Sequence, residues 1–203
     1  MSGYPLVVEG TRLHALVIGG GRVAERKARA LLASGADVRV IAPVCTPELY
    51  DLATSDAHLT LVSRGYASGD VGDALLVIAA TDDAELNARV ARDAHAMRRL
   101  VNVADDPDAG NCVTVASHRA GDLVIGVSAG GVPTAAARIR DCLAERFDAR
   151  YAAAVDALAR LRRALLGRGD RESWHRAVET LVPEHFCDMV EQGTFADEVA
   201  RWQ

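Results

Sequence analysis

The sequence predicts an α/β fold: a Rossmann-type parallel sheet, then a strand-plus-helix region, then a small helical C-terminal part. Three observations carry this. The run Gly19-Gly20-Gly21-Arg22-Val23-Ala24 follows an apolar stretch, His14 to Ile18, and opens a helical pattern. That is the strand–turn–helix context in which a G-x-G-x-x-[GA] match has meaning. Strand-like and helix-like segments alternate through roughly the first hundred residues, as a right-handed series of β–α–β units requires. Beyond residue 110 the alternation gives way to a hairpin pattern and then to helix. Composition agrees: 50% of residues are hydrophobic but only 4% aromatic, and Ala, Val and Leu dominate. This suits a parallel sheet buried between helices.

Leu6-Val7-Val8 reads as a short edge strand and His14 to Ile18 as the first core strand. In the turn that follows, Gly19 permits the tight bend, Gly21 lets the backbone approach a pyrophosphate, and Ala24 lets the helix pack close to the strand. The free N–H groups of the helix start then face the phosphates. This helix runs to about Ser34 and stops at Gly35, a natural C-terminal cap. Asp37 to Ala42 is the second strand, closed by Pro43; Pro47 to Thr54 is a helix; Leu59 to Val62 is the third strand. Ala74 to Ala80 is a continuous apolar run, the mark of a buried parallel strand. Asp83 caps a helix reaching about Met97, and Leu100 to Val103 is the fifth strand. Asn111 to Ala116 and Leu123 to Ser128 are β-branched runs separated by His118-Arg119-Ala120-Gly121-Asp122, which reads as a hairpin. The remainder reads as helix, from Thr134 to about Leu166, Arg171 to Leu181 and Glu184 to Trp202. Gly167-Arg168-Gly169-Asp170 and Pro183 punctuate it.

The 203 residues suffice for one large domain or a nucleotide domain with an appendage. A net charge of −5 points away from nucleic acid as the main partner. Lys27 is the only lysine among many arginines, which reads as coding bias. No stretch reaches the apolar length of a membrane span. Met1 to Gly10 has no basic segment leading into an apolar core, so no secretory signal is expected. Cys45, Cys112, Cys142 and Cys187 are scattered, with no C-x-x-C pair. They read as four reduced thiols in a cytoplasmic protein, with no His/Cys metal site.

Four motifs stand in order. Gly19 to Ala28 resembles the opening of the precorrin-2 dehydrogenase family, the stand-alone enzymes and N-terminal halves of sirohaem synthesis. Ala79-Ala80-Thr81-Asp82-Asp83 with Leu86-Asn87 is similar to its second signature, and Asn102-Val103-Ala104-Asp105-Asp106-Pro107 to its third. Val127-Ser128-Ala129-Gly130-Gly131 with Ala137-Arg138-Ile139-Arg140 resembles its fourth. The resemblance covers about residues 5 to 145. It implies an NAD-binding Rossmann domain over 1–110, a dimerisation region over 111–147 and a helical domain over 148–203. It also implies oxidation of precorrin-2 to sirohydrochlorin with NAD as hydride acceptor. Some members go on to insert ferrous iron. The expected assembly is a homodimer acting on a small-molecule tetrapyrrole. Ending at Gln203, the chain is expected to lack the methyltransferase half of the fused enzymes. It departs from the family pattern at Ser128-Ala129, where two hydroxyl residues are common, and at Gly130-Gly131-Val132-Pro133, one residue shorter than usual.

Asp105 is the candidate catalytic residue. It lies just past the fifth strand, where open α/β sheets place their ligands. Oxidising a reduced tetrapyrrole needs a hydride acceptor and a group that receives a proton, and metal insertion displaces pyrrole N–H protons. A carboxylate serves both tasks, and the resemblance assigns the matching aspartate that shared role. The plainer alternative is a loop aspartate making an Asx turn before Pro107, as expected of Asp106. The resemblance carries cofactor contacts onto Arg22, Val23, Pro43 and Val44; Thr81, ending the fourth strand, is placed to reach the nicotinamide side. The stretch Ile41-Ala42-Pro43-Val44 lacks the acid that usually binds the ribose hydroxyls, Asp37 precedes the strand, and Arg39 is expected mid-strand. The residues therefore leave NAD and NADP open, and the resemblance implies NAD. Ser128 and His118 are secondary substrate-binding candidates; their alternatives are a helix-capping hydroxyl and an exposed turn residue. Arg138, Arg140, Arg146 and Arg150 are expected on one long helix, either meeting substrate carboxylates or forming a solvated face. A rival of another class is a non-catalytic Rossmann nucleotide-sensing module. Such modules share the glycine turn but keep the strand-two acid and lack an Asn-x-x-Asp motif before a helical domain.

Overall fold

The computed structural model describes residues 3–202. The chain forms two compact units, one ending at Thr114 and the other beginning at Val115.

The first unit is built on β1 (His14–Ile18), β2 (Asp37–Ile41), β3 (Leu59–Val62), β4 (Leu76–Ala79) and β5 (Leu100–Val103). All pairings are parallel and the spatial order is β3-β2-β1-β4-β5. The order reverses between β1 and β4, which makes that boundary the switch point at which open α/β sheets bind ligands. Three helices complete the unit: α1 (Arg22–Leu32), α2 (Pro47–Ser55) and α3 (Ala84–Ala96).

Strand β1 shows why the sheet is buried on both faces. Ala15 and Val17 join Ala24, Ala28, Val38, Val40 and Leu49 in one apolar cluster. Leu16 and Ile18 face the other way, joining Ile41, Val77, Val90, Val101 and Val103. Alternate residues thus enter two separate cores, so the strand reads as an unbroken apolar run. The register also levels the C-terminal ends of the strands: Ile18 pairs with Ile41 and with Ala79, and Ala79 with Val103. The residues that follow each strand therefore emerge along one edge.

The second unit holds an antiparallel hairpin, β6 (Ala116–Ala120) and β7 (Leu123–Val127), followed by α4 (Pro133–Arg146), α5 (Ala149–Gly167), α6 (Arg171–Leu181), α7 (Phe186–Gln192) and α8 (Phe195–Ala200). Its core contains Tyr151, Leu161, Leu165, Leu181, Val190, Phe195 and Val199. Phe186 meets Phe195 edge-on, with ring centroids 5.3 Å apart.

Several sequence expectations are corrected. Leu6-Val7-Val8 is not a strand: the sheet's edges are β3 and β5, and Leu6 and Val7 are exposed. The first hairpin strand is Ala116–Ala120, not Asn111 to Ala116. Val113 and Val115 carry β propensity but lie outside the pairing, and the turn is the two-residue Gly121-Asp122 with Gly121 at φ +58°. Thr134 to Leu166 is two helices. Phe147 ends α4, and the Asp148 carboxylate caps α5 by accepting from the Arg150 N–H at 2.9 Å. Arg150 accordingly lies on a different helix from Arg138, Arg140 and Arg146. Glu184 to Trp202 is also broken in two, at Gly193 with φ +81°.

Candidate functional site

The glycine turn is wedged between its neighbours at the switch point. Gly19 adopts φ +123°, and a Cβ there would lie 2.3 Å from the Ala80 carbonyl oxygen. A Cβ on Gly20 would lie 2.1 Å from the Val44 carbonyl oxygen. These two positions are glycine because backbone passes on both sides. Three hydrogen bonds lock the crossing: Gly19 N–H to Ile41 O at 3.0 Å, Ala80 N–H to Ile18 O at 2.8 Å, and Thr46 N–H to Gly20 O at 2.9 Å.

Gly21 differs. Its φ is an ordinary −84°, and nothing in the protein lies within 4 Å of where its Cβ would be. Packing and backbone conformation do not demand glycine here, and the space is free for a ligand. Gly21 is the N-cap of α1 and has no side chain to offer, so the first N–H groups of the helix point outward. Arg22 and Val23 follow, both exposed. Pro43 and Val44 are exposed just past β2, Val44 at 75%. Beside them a groove of about 710 Å³ is lined by Arg22, Arg26, Arg29, Glu25, Glu48, Thr46 and Pro47. Glu25 is taken up within it, accepting from Arg29 at 3.1 Å and from the Thr46 hydroxyl at 3.0 Å.

On the other side of the switch point, Asp105 is exposed beyond β5. Its Oδ1 accepts a hydrogen bond from Asn87 Nδ2 at 2.9 Å. Asn87 is 1% exposed and is also tied to the turn after β4, through the Thr81 N–H at 3.2 Å, the Thr81 hydroxyl at 2.7 Å and the Thr81 carbonyl at 3.1 Å. Asp106 makes the expected Asx turn, accepting from the N–H groups of Asp108 and Ala109. Asp83 caps α3 through the N–H groups of Glu85 and Leu86, each at 3.0 Å.

The structure therefore brings Gly19, Gly21, Arg22, Val23, Pro43, Val44, Thr81 and Asp105 to one edge of the first unit. Asp37 opens β2 at the opposite end. Arg39 lies mid-strand and donates to the Asp70 carbonyl. The second-unit candidates are placed differently from expectation. His118 is not at a turn but mid-strand in β6, half-buried, with Nε2 2.7 Å from the Phe147 carbonyl. Ser128 is exposed after β7 and does not cap α4, whose N-cap is Val132 without a side-chain bond. Arg140, Arg146 and Arg150 are paired with Asp141, Glu191 and Asp148, at 2.6, 2.7 and 3.0 Å, as in a solvated face.

Sequence reasoning missed two residues. Asn87 stood only as a letter in a motif; the available signal was a poor helix former in the first turns of α3, four residues after a cap. Lys27, read as coding bias, is half-buried and fastens α1 to β5. Its Nζ donates to Asn102 Oδ1 at 3.1 Å and to the Thr114 hydroxyl. Burial, with Arg26 adding, lowers its pKa. Among the described residues no group of three or more His, Cys, Asp or Glu is arranged to hold a metal, and the four cysteines are free thiols. No described helix is long and apolar enough to cross a membrane.

Comparisons with known proteins bear on the family and the fold. Residues 6–116 match a family model described as "Putative NAD(P)-binding". The chain is 38% identical over 202 residues to a siroheme synthase of Chromobacterium violaceum, covering 98% of this chain and 42% of that protein. It is 46% identical over 124 residues to a siroheme synthase of Ectopseudomonas mendocina, covering 61% of this chain and 26% of that one. It thus spans less than half the length of these curated relatives. A solved structure named SirC, precorrin-2 dehydrogenase, shares the fold, with a TM-score of 0.75, 23% identity, and coverage of 98% of this chain and 100% of that one.

Proposed function

Because the chain belongs to the NAD(P)-binding family matched by residues 6–116, and to the precorrin-2 dehydrogenase family, we propose that it oxidises precorrin-2 to sirohydrochlorin with NAD as acceptor. The observation that carries this reading is the held carboxylate of Asp105, 2.9 Å from Asn87, on the edge where the glycine turn opens. NAD, when bound, supplies the hydride acceptor. The chain's own residues do the rest. The N–H groups at Arg22 and Val23 would hold the pyrophosphate beside Gly21, and Pro43 and Val44 would border the adenosine ribose. Thr81 would border the nicotinamide side. One C–H bond of the substrate breaks with its electron pair leaving as hydride. One proton goes to Asp105, and the tetrapyrrole is oxidised by two electrons. NAD is favoured over NADP because Arg39 is engaged by the Asp70 carbonyl, away from the β2 end.

The proposal assigns 1–110 to NAD binding, 111–147 to dimerisation and 148–203 to a helical domain, in a cytoplasmic homodimer. Ser128 and His118 are its secondary substrate contacts. Ferrous iron is proposed as a further substrate, since its insertion releases pyrrole N–H protons that the same carboxylate can take.

Anaerobic mixing of the protein with NAD and precorrin-2 tests the reading through the absorbance of NADH. NADH is expected to form. Asp105→Asn keeps the shape and removes the basicity, and turnover should fall by roughly a hundredfold or more, within the range for a general base. NAD affinity should stay close to wild type. A chain that binds NAD and makes no NADH would instead be a nucleotide sensor. An Asp105→Asn variant with the wild-type rate would remove Asp105 from the mechanism.

A further inference from the structure

We propose that Asn87 is the positioning residue of this site. It clamps Asp105 to the Thr81 turn, so that one carboxylate oxygen is held and the other, Oδ2, faces the substrate. The inference rests on reading Asp105 as the proton acceptor.

The orientation of the Asn87 amide is forced. The Thr81 N–H can only donate and lies 3.2 Å from Asn87 Oδ1; the Thr81 carbonyl can only accept and lies 3.1 Å from Nδ2. A flipped amide would face donor with donor and acceptor with acceptor. With that end fixed, the second lone pair of Oδ1 takes the Thr81 hydroxyl at 2.7 Å, and the second hydrogen of Nδ2 goes to Asp105 Oδ1 at 2.9 Å. Two donors and two acceptor positions are the whole hydrogen-bonding capacity of an asparagine side chain, and all are used. Because the side chain is 1% exposed, water does not compete for them. The donor facing Asp105 cannot rotate away without breaking three bonds to Thr81.

Two neighbouring acids are committed elsewhere. Asp83 caps α3 and Asp106 closes its own turn through backbone N–H groups. Asp105 is instead exposed, where a free carboxylate would sample several rotamers. Asn87 removes that freedom and links the proton acceptor to the turn proposed to border the nicotinamide. A residue with this role lowers kcat when lost, because a displacement of about 1 Å at a reacting group costs up to about a hundredfold.

The test uses the full chain with Asn87→Asp and Asn87→Ser. Melting and NAD titration establish that each variant folds and binds cofactor. Asn87→Asp sets a carboxylate against Asp105, and two such groups at hydrogen-bond distance share a proton. The acid limb of kcat/KM for precorrin-2 should move up by about one pH unit or more. Asn87→Ser removes the donor, and kcat should fall about tenfold or more with KM within about threefold. An unmoved pH profile in a folded Asn87→Asp variant assigns Asn87 a structural role only and overturns the proposal. If that variant does not fold, Asn87→Ser decides: wild-type kcat, or kcat and KM changing together, overturns it. A wild-type chain that does not oxidise precorrin-2 overturns the underlying activity instead, and the role of Asn87 falls with it.

Discussion

Gly21 separates a requirement of the fold from a requirement of the ligand. Gly19 and Gly20 are glycines because the Ala80 and Val44 backbones would strike a Cβ, whereas Gly21 faces open space at an ordinary φ. Aspartate is a favoured N-cap residue, so Gly21→Asp should leave the melting temperature unchanged or slightly raised. The same carboxylate would stand where the pyrophosphate is proposed to lie. A like charge at about 4 Å in partly shielded surroundings costs about 2–4 kcal/mol, so NAD affinity should drop on the order of a hundredfold or more. Titration calorimetry checks this, and unchanged affinity would remove the glycine turn from cofactor binding. If the chain also inserts iron, that activity should survive in Gly21→Asp, since it needs no hydride acceptor, and fail in Asp105→Asn. The glycine turn and the place of Asp105 just past β5 were legible in the sequence, because local pattern marks a strand–turn–helix and a residue after a strand; the role proposed for Asp105 came from the family resemblance, since spacing alone fits a loop aspartate equally well. Asn87 and Lys27 were not legible, because their significance lies in partners as far away in sequence as Asp105 and Asn102.

The strand ends of the parallel sheet show the same contrast. Elements with a continuous apolar run or a capping residue were legible: β3 and β5 begin and end where the pattern does, and Asp83 caps α3 as its position implies. The hairpin start depends on tertiary pairing, which local propensity does not encode. The two helix breaks did carry local marks, Asp148 as an N-cap and Gly193 as a left-handed C-cap, outweighed by the helical pattern on either side. At the other end of the sheet from the candidate site, Asp37 at the start of β2 meets His58 at 2.7 Å, with His14 at 3.8 Å. The hydrogen bond between them raises the His58 pKa above its ordinary value and lowers that of Asp37. For His58 the sign is that of a raised group: its contribution is present below the ordinary histidine value and lost as pH rises through the raised one. For Asp37 it is that of a lowered group: present above the ordinary carboxylate value and lost as pH falls through the lowered one. The pair therefore acts in the window between, and salt should weaken it because both groups are exposed. Following the His58 ring protons by NMR should give a midpoint above the ordinary value in the wild type. Asp37→Asn should bring it down toward that value, with the nearby Asp56 charge remaining, and leave NAD affinity unchanged, since Asp37 lies at the opposite end of β2 from the glycine turn. A midpoint that does not move in Asp37→Asn would show that the contact is not formed in solution.

At the scale of the whole molecule, the second unit carries apolar surface that its own packing does not cover. β6 and β7 form a sheet of two strands, so the outer edge of each is unpaired. Such a ribbon is marginal alone and needs a packed face. Around it Val115 is 46% exposed, Val132 55% and Ile139 47%. Single exposed apolar residues are ordinary; three of them on the segments flanking a two-stranded ribbon suit an association surface. A second copy of the chain meets the need: a two-fold arrangement presents the same surface twice and closes without leaving a free site. We therefore expect a symmetric homodimer in which the segment from Asn111 to Ser128 and α4 lie at the interface. Light scattering at micromolar concentration should report twice the mass of the 21.5 kDa chain. Ile139→Arg, which places a charge on an exposed face of the second unit, should shift the mass toward the monomer while leaving NAD affinity intact. A wild-type monomer at that concentration would contradict the assembly and leave the exposed valines and Ile139 without a partner of this kind.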